Sequence, residues 1–415
     1  MMTWWQNAFL GVSDGRLTLA GRDAATIADR EGTPLFVYGR ARIRENFDRL
    51  AAAFAGLDGL ETRICYAMKA NPHPGILRFV RGLGAWIDAV SPGEVEAARK
   101  AGFPASRILF TGTSVGAADL RRVFREDGIT INIDALEQIE ILREVRREFP
   151  GQRKICASLR WNPGSGRGFT AGVITAGRRS TDGTPIKFGI EPSKLDSAFS
   201  AASAAGFRPV GLHQHLGSGW TAEDFRSVAS SVDRMVRKAA ELEKSGIRLE
   251  FLDFGGGFGP RYHPNQGVFP VEAYAERIGR RMKESGLQIK TIAVEPGKYL
   301  VGDAGVLLLR VNYVKESFGQ IFACVDGGTF TSVPRPAIYP GAYHEIVNAT
   351  RLLEPRRVRV TVAGNLCETG DVFAKSRPLP MPRRGDVLAV LCAGAYCRSM
   401  ASRFNLREIP REILV

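Results

Sequence analysis

The stretch "ICYAMKANPHP" (residues 64–74) decides the fold, because an apolar run that is typical of a buried strand ends on a lysine, Lys69. A loop with Asn71, Pro72 and Pro74 follows at once. Seven further short runs rich in β-branched residues follow along the chain. The eight predicted strands are residues 63–68, 85–90, 108–111, 130–133, 154–161, 209–215, 249–254 and 291–294.

Amphipathic segments separate most of these strands, for example residues 92–103, 134–149 and 222–246. Strands that alternate with helical periods predict an α/β fold, a (β/α)8 TIM barrel over residues 35–302. After residue 302 the pattern changes to short alternating strands, so residues 303–415 are predicted to form a C-terminal β-barrel domain. Residues 1–34 are also strand-like and are predicted to join that β domain.

Composition narrows the class of protein. The chain has 415 residues, 44% hydrophobic and 24% charged, and no apolar run is long enough to span a bilayer. The N-terminus lacks the features of a secretory signal, so we expect a cytoplasmic protein that does not bind membranes. Although the net charge is +14, basic residues are mixed with acids, as in "RRVFRED" (121–127), which favours a solvated surface over nucleic-acid binding.

The six cysteines have no paired metal-ligand spacing. We therefore expect free thiols, one of them a candidate catalytic group, and no metal site.

Unusual residues follow the predicted strands at their C-terminal ends, where TIM barrels carry their chemistry. "DFGGGFG" (253–259) follows strand seven. Its glycines let backbone N–H groups approach a phosphate, although a tight turn alone would also explain them. "HLGSG" (215–219) brings a serine to the same rim, which favours the phosphate.

Lys69 has three interpretations: a solvated charge, a phosphate counter-ion, or an amine that forms a Schiff base with an aldehyde. Pyridoxal 5′-phosphate (PLP) combines that aldehyde with a phosphate. Its ring nitrogen needs an anionic partner, which Glu295 in "VEPGK" can supply, and its ring needs a flat neighbour, which His215 can be. The alternative for His215 is a hydrogen-bonded histidine of the core.

Seven ordered motifs, "YAMKAN", "GLHQHLGS", "DFGGGFG", "VEPGK", "RPAIY", "CETGD" and "AGAY", resemble the PLP-dependent amino-acid decarboxylases, a group that includes the diaminopimelate and ornithine enzymes. The similarity runs from about residue 30 to the C-terminus and is strongest to diaminopimelate decarboxylase. It implies an alanine-racemase-like barrel with a C-terminal β-barrel domain. It also implies a head-to-tail homodimer with two shared active sites, acting on a small-molecule amino acid.

The resemblance also implies a role for each matched residue. Lys69 would be the Schiff-base lysine, Asp88 a neighbour of its amine, His215 the residue stacked on the cofactor, and Glu295 the partner of the ring nitrogen. Ser218, Gly255, Gly256 and Gly257 would hold the phosphate, with Tyr396 closing on it. Arg335 and Tyr339 would bind substrate carboxylate. Cys367 and Glu368 would come from the partner subunit, the thiol as proton donor and the carboxylate as a ligand of the distal amine.

Two features depart from the family pattern. The family usually has "EPGR", and here Lys298 replaces that arginine, so a point charge stands where a planar fork would bind carboxylate. The Gly-rich loop 162–189, with Arg167, Arg178 and Arg179, looks long, and is either a lid or a disordered insertion.

Three functions are compatible with this pattern. The first is decarboxylation of meso-2,6-diaminopimelate to lysine, with Lys298 and Arg335 sharing the distal carboxylate. The second is a related decarboxylase of specialised metabolism acting on another basic or carrier-linked amino acid. The third, PLP binding without catalysis, gives no reason for Cys367 and Glu368.

Overall fold

The computed structural model describes residues 3–57, 59–151, 155–355 and 358–415. The chain divides into two compact units. One comprises Phe47–Gly259 and Gly267–Gly297, and the other comprises Met1–Asn46, Pro260–Gln266 and Lys298–Val415. The sequence-based bounds at residues 34/35 and 302/303 remain a prediction. Among the described residues, no helix combines the length and the apolar content that crossing a bilayer requires.

The first unit is a closed barrel of eight parallel strands, as predicted. Its strands are, in chain order, Glu61–Ala67, Trp86–Ala89, Ile108–Phe110, Thr130–Ile133, Cys156–Arg160, Arg208–His213, Phe251–Asp253 and Thr291–Val294. The last strand pairs with the first, with Val294 beside Ile64, which closes the ring. The predicted start of strand five, Lys154, lies outside the described residues. The (β/α)8 prediction is confirmed.

Helices follow the barrel strands, and Pro92–Lys100 and Leu195–Ala204 pack against neighbouring strands. The helices are Pro74–Gly82, Pro92–Lys100, Ala117–Phe124, Gln138–Arg147, Leu195–Ala204, Phe225–Lys244 and Val271–Ser285. Local sequence sets their ends: Ser91 accepts a hydrogen bond from the Glu94 N–H at 3.2 Å, and Pro92 occupies the first turn. Helix Phe225–Lys244 buries Val228, Val232 and Met235 on one face, so its 3.6-residue period accounts for its packing.

The barrel strands change from apolar to polar toward their C-terminal ends. Cys65, Leu109, Phe251 and Ala293 belong to one buried cluster. Because alternate residues of a strand share a face, residues two positions further along point the same way. After Phe251 and Ala293 these are Asp253 and Glu295, both buried. The apolar cluster therefore supports a layer of polar side chains, and that layer forms the candidate site.

The second unit is rich in β structure. Strands Leu10–Ser13, Arg16–Leu19 and Arg22–Asp23 form a small antiparallel sheet. Eight further strands form one mixed sheet: Leu35–Tyr38, Gly305–Ser317, Gln320–Val325, Ile346–Asn348, Val358–Ala363, Val372–Leu379, Val387–Val390 and Arg411–Leu414. The long strand Gly305–Ser317 joins its two halves. The predicted second domain of β structure is confirmed, as a branched eight-stranded sheet.

Among the described residues, this unit contains helices at Ala24–Glu31, Lys298–Val301 and Arg335–Ile338, and helix Arg40–Ala55 begins in it. Strand Leu35–Tyr38, which the sequence pattern places at the entry of the barrel, is hydrogen-bonded here to Gly305–Ser317 and to the C-terminal strand Arg411–Leu414. Apolar side chains of the small sheet, such as Leu17, pack with Val306 and Leu308 in one core.

Candidate active site

Lys69 lies in a short 3₁₀ turn, Met68–Ala70, directly after the first barrel strand. Its Nζ donates a hydrogen bond to Asp88 Oδ2 at 2.6 Å. The Asp88 side chain is fully buried, whereas the Lys69 side chain keeps 33% of its surface exposed. The lysine at the end of an apolar strand therefore has a buried anionic partner and still reaches open space.

Asp88 influences the reactivity of that amine. Burial raises the pKa of Asp88, the charge of Glu295 raises it further, and the charge of Lys69 opposes both. A carboxyl group with a raised pKa, 2.6 Å from an ammonium group, is able to accept its proton. An amine is a nucleophile only when it is unprotonated, and Asp88 lies within hydrogen-bond reach of the proton that Lys69 must lose.

Glu295 follows the eighth strand, and its side chain is buried. His213 Nε2 lies 3.3 Å from the Glu295 carboxylate. Burial raises the pKa of Glu295, but the charge and hydrogen bond of His213, together with Lys69 and His215, outweigh it and lower the pKa to about 2. Glu295 is therefore a buried anion.

His215 lies two residues beyond the end of the sixth strand, Arg208–His213. The Gly256 N–H donates to His215 Nδ1 at 3.2 Å, so the ring proton belongs on Nε2. Burial lowers the pKa of His215 to about 3, with Arg160 and Lys69 acting in the same direction and Glu295 against them. The imidazole is therefore neutral, which suits a flat ring that stacks on a cofactor.

The glycine triplet packs tightly against these residues. Gly255 has a φ of +68°, and a Cβ on Gly256 would lie 2.0 Å from the Glu295 carbonyl oxygen. The N–H groups of Gly219 and Trp220 each donate to the Gly257 carbonyl at 2.9 Å. Because Ser218 directly precedes Gly219, the predicted phosphate loop and the predicted serine lie at one place.

A cavity of about 270 Å³ opens among these residues. Its lining contains three of the predicted site residues together with seven others: Lys69, His215 and Glu295, and Val90, Thr111, Thr113, Arg160, Thr175, Phe188 and His213. Such a volume is close to the lower end of small-molecule sites. Glu295 Oε1 makes no hydrogen bond among the described residues, so the carboxylate keeps capacity to accept an N–H group. The amine, the neutral ring, the anion and the glycine loop together fit PLP.

Loop 162–189 forms one wall of this cavity through Thr175 and Phe188. The Thr175 hydroxyl donates to the His215 carbonyl at 3.0 Å, and the Trp220 indole N–H donates to the Arg167 carbonyl at 2.8 Å. Arg167 also pairs with Asp224. These bonds attach the loop to the barrel, which contradicts the alternative of a disordered insertion. Arg178 and Arg179 are exposed.

A cluster of cations and aromatic rings lies in the second unit. Lys298 Nζ lies 5.4 Å from the centroid of the Tyr396 ring, and the Arg335 guanidinium lies 4.5 Å from that of Tyr262. Arg335 Nη1 donates to His344 Nε2 at 2.9 Å, and His344 Nδ1 bonds to the Leu391 carbonyl at 2.9 Å. Burial, with the charge of Arg335, lowers the pKa of Lys298 well below its usual value. Such a cluster favours the approach of an anion.

The remaining predicted residues also lie in the second unit. Tyr339 is half-buried at the end of helix Arg335–Ile338, where its N–H donates to the Arg335 carbonyl at 2.8 Å. Cys367 and Glu368 are exposed. The Cys367 N–H donates to Asn405 Oδ1 at 2.8 Å, which fixes the backbone beside the thiol.

The sequence analysis assigned no role to His213, Asp253 or Arg160. His213 and His215 are separated by one residue in "HQH", and that spacing at a strand end was the available signal for His213. Asp253 is the first residue of "DFGGGFG", but only the glycines of that motif were given a role. Arg160 forms an ion pair with Asp134 at 3.3 Å and covers the Phe188 ring at 4.6 Å. Neither partner is close to Arg160 in sequence.

Acidification is expected to destabilise the protein through its buried neutral histidines. Burial lowers the pKa of both His215 and His344 to about 3. Since the unfolded chain titrates near pH 6.5, it binds protons that the folded chain does not, and stability falls from about pH 6.5 toward pH 3. Each histidine should cost about 2 kcal/mol of unfolding free energy at pH 5 relative to pH 7.

Denaturant unfolding at the two pH values tests this expectation. His344→Gln keeps an acceptor for Arg335 but has no titrating ring, so it should lose about 2 kcal/mol less than the wild type. His263→Gln, at a half-exposed histidine, is the matched control and should behave as the wild type does. An equal loss in the wild type and His344→Gln would contradict the assignment.

Comparison with known proteins identifies the class of this barrel. Residues 40–302 match the family described as "Pyridoxal-dependent decarboxylase, pyridoxal binding domain". The chain belongs to this family of decarboxylases, whose cofactor is PLP.

The particular relatives are diaminopimelate decarboxylases. The protein of that name from Methanothermobacter thermautotrophicus is 41% identical over 97% of this chain and 91% of its own length. The Pseudomonas aeruginosa protein is 34% identical over 97% and 92%. The crystal structure of diaminopimelate decarboxylase from M. jannaschii in complex with L-lysine has a TM-score of 0.88 and 30% identity, and the match covers 99% of this chain and 93% of that one.

Proposed function

We propose that the protein is a PLP-dependent carboxy-lyase that removes the α-carboxylate of meso-2,6-diaminopimelate to give L-lysine and CO2. The observation that carries this proposal is the hydrogen bond between Lys69 and Asp88 beside a cavity that His215 and Glu295 also line. The relatives named diaminopimelate decarboxylase, similar over nearly the whole chain, support the choice of substrate.

The residues of the barrel would hold the cofactor. PLP supplies an aldehyde that bonds to an amine and a ring that accepts the electron pair released with CO2. Lys69 would provide the amine, and Asp88 would take up its proton. His215 would stack on the ring, and Glu295 would keep the ring nitrogen protonated. Ser218 and Gly255, Gly256 and Gly257 would bind the phosphate through backbone N–H groups and a hydroxyl, with Tyr396 closing on it.

A further group of residues would bind the substrate. Lys298 and Arg335 would share the distal carboxylate, with Tyr339 beside them. Burial disfavours the protonated form of Lys298. A bound carboxylate stabilises that protonated form, so carboxylate binding and protonation of Lys298 favour each other. Glu368 would bind the distal amine, and the Cys367 thiol would return a proton to Cα.

We further propose that Cys367 and Glu368 act in the partner's site of a homodimer. Both are exposed in the single chain. Phe404, with a ring 5.8 Å from that of Phe330, and Leu406, 93% exposed, lie on either side of Asn405, which bonds to Cys367. Exposed apolar side chains beside a chemically useful thiol are typical of an interface. The six free thiols also suit the cytoplasm.

Release of CO2 from a panel of amino acids tests the proposed substrate. Purified protein loaded with PLP is given meso-diaminopimelate, lysine, ornithine or arginine. We expect release from diaminopimelate alone, with lysine as the product. Release from another member instead would favour a decarboxylase of specialised metabolism, and none from any, with PLP bound, would favour a binding protein without catalysis.

Substitution of Lys298 is expected to separate recognition of the distal carboxylate from the chemistry. Lys298→Met removes a buried charge at nearly constant size, and it should lower kcat/KM for diaminopimelate by about 30- to 1000-fold, chiefly through KM, because the carboxylate loses a charged ligand. Lys298→Arg keeps the charge and should retain most of the activity. Steady-state kinetics on all three proteins provides the measurement. An unchanged KM in Lys298→Met would contradict the role of Lys298.

A further inference from the structure

Three buried ionisable side chains meet inside the barrel: His213, Asp253 and Glu295. They lie on neighbouring strands. His213 pairs in register with Asp253, and Asp253 pairs with Ala293, which is two residues before Glu295. One nitrogen or oxygen atom from each lies within 4.8 Å of those of the others. Only Glu295 of the three has a role in the proposed function.

Asp253 has two different hydrogen-bonding environments. Its Oδ1 accepts the Gly255 N–H at 2.9 Å, which anchors the glycine triplet. Its Oδ2 and Glu295 Oε1 are both buried and meet no hydrogen-bond geometry among the described residues, and Glu295 Oε1 lies 3.3 Å from His213 Nε2. Two ionised carboxylates at such a place repel each other, and one proton between them relieves the repulsion.

The electrostatics indicate which carboxyl group holds that proton. Burial raises the pKa of Asp253 well above its usual value, and the negative charge of Glu295 raises it further. His213 lies on the other side, 3.3 Å from Glu295, and lowers the pKa of the glutamate. Of the two carboxyl groups, Asp253 therefore favours the proton and Glu295 favours ionisation.

We propose that His213 and Asp253 are positioning residues that hold Glu295 as an oriented anion, His213 by donating its Nε2–H and Asp253 by donating the carboxyl proton it keeps. This inference rests on the proposed function, because the oriented anion matters only if Glu295 serves the ring nitrogen of PLP. Asp253 thereby connects two parts of the cofactor site, the glycine triplet and Glu295.

Asparagine and leucine at position 253 test the protonation of Asp253. Asn is the same shape as a protonated Asp: its oxygen accepts from Gly255, and its NH2 group donates to Glu295. Asp253→Asn should therefore bind PLP within about threefold of the wild type. Asp253→Leu has a similar shape but neither group, so its PLP dissociation constant should rise by about 10- to 150-fold.

The matched pair at position 213 is His213→Gln, which keeps a donor toward Glu295, and His213→Leu, which does not. We expect His213→Leu to weaken PLP binding and shift the pH midpoint of the absorbance band of the bound cofactor, with kcat lowered and KM nearly unchanged. His213→Gln should restore most of each effect. Fluorescence titration and absorbance against pH give both readouts without turnover, and circular dichroism verifies folding.

Several outcomes overturn the inference. Asp253→Asn binding PLP as weakly as Asp253→Leu would show that Asp253 acts as an anion. A stoichiometric divalent metal in the wild type that is lost in Asp253→Asn would make the three residues a metal site instead. Wild-type behaviour of His213→Leu would remove the role of His213. If the leucine variants do not fold, the Asn and Gln variants decide. A wild type that binds no PLP would instead refute the proposed function.

Discussion

Replacing Lys69 by alanine is expected to lower decarboxylation by at least about 10⁴-fold, about 5 kcal/mol in transition-state free energy. The substitution removes the amine that bonds to the cofactor and leaves the buried Asp88 without its 2.6 Å partner. CO2 release measures the loss. Borohydride reduction of the wild type, followed by mass spectrometry of its peptides, should find the cofactor on the peptide that contains Lys69.

Lys100→Ala is the matched control, because Lys100 is exposed at the end of helix Pro92–Lys100. It should retain full activity and the label at Lys69. A label on another lysine in the wild type, or undiminished turnover in Lys69→Ala, would refute the assignment of Lys69 and the mechanism that depends on it.

The architecture of the barrel was predictable because its signal is local. Each strand is a short apolar run, and each helix, such as Phe225–Lys244, carries its own 3.6-residue period. The order of the eight strands then follows from their parallel pairing along the chain. The exact strand ends were less accurate: strand six was predicted to reach His215, but it ends at His213.

The pairing of the second unit is not readable from local pattern. Leu35–Tyr38 is an apolar run like those of the barrel, yet it pairs with Gly305–Ser317, about 270 residues further along the chain. The hydrogen bonds that decide between the two sheets join residues far apart in sequence, and no periodicity within either strand encodes them.

Residues of the candidate site could be predicted from the sequence where a chemically distinctive residue follows a strand. Lys69, His215, Glu295 and the glycine triplet each combine a special side chain or backbone with a strand end. His213 and Asp253 gave weaker signals, because their partner Glu295 lies at least 40 residues away in sequence. Their importance depends on burial and on which carboxyl group holds the proton, and both are properties of the assembled barrel.

Mixing two inactive variants is expected to restore activity if the sites are shared between subunits. Cys367→Ala should lower kcat by about 10²- to 10⁴-fold, the usual contribution of a positioned proton donor. In a mixed dimer of Lys69→Ala and Cys367→Ala chains, one site combines the intact Lys69 of one subunit with the intact Cys367 of the other. Random assortment makes half of the dimers mixed, each with one intact site, so about one quarter of wild-type activity should return.

The recovered activity separates the two possible placements of the thiol. If Cys367 served the site of its own chain, each chain of the mixed dimer would still lack one essential group, and mixing would add nothing. The control mixes wild type with a double variant that carries both Lys69→Ala and Cys367→Ala. If sites are shared between subunits, each mixed dimer contains no intact site. If each chain forms its own site, each mixed dimer contains one intact site. Exposure of Cys367 in the isolated chain favours the shared arrangement. A thiol that is open to solvent contacts water, and it contacts a substrate carbon only after another surface covers it.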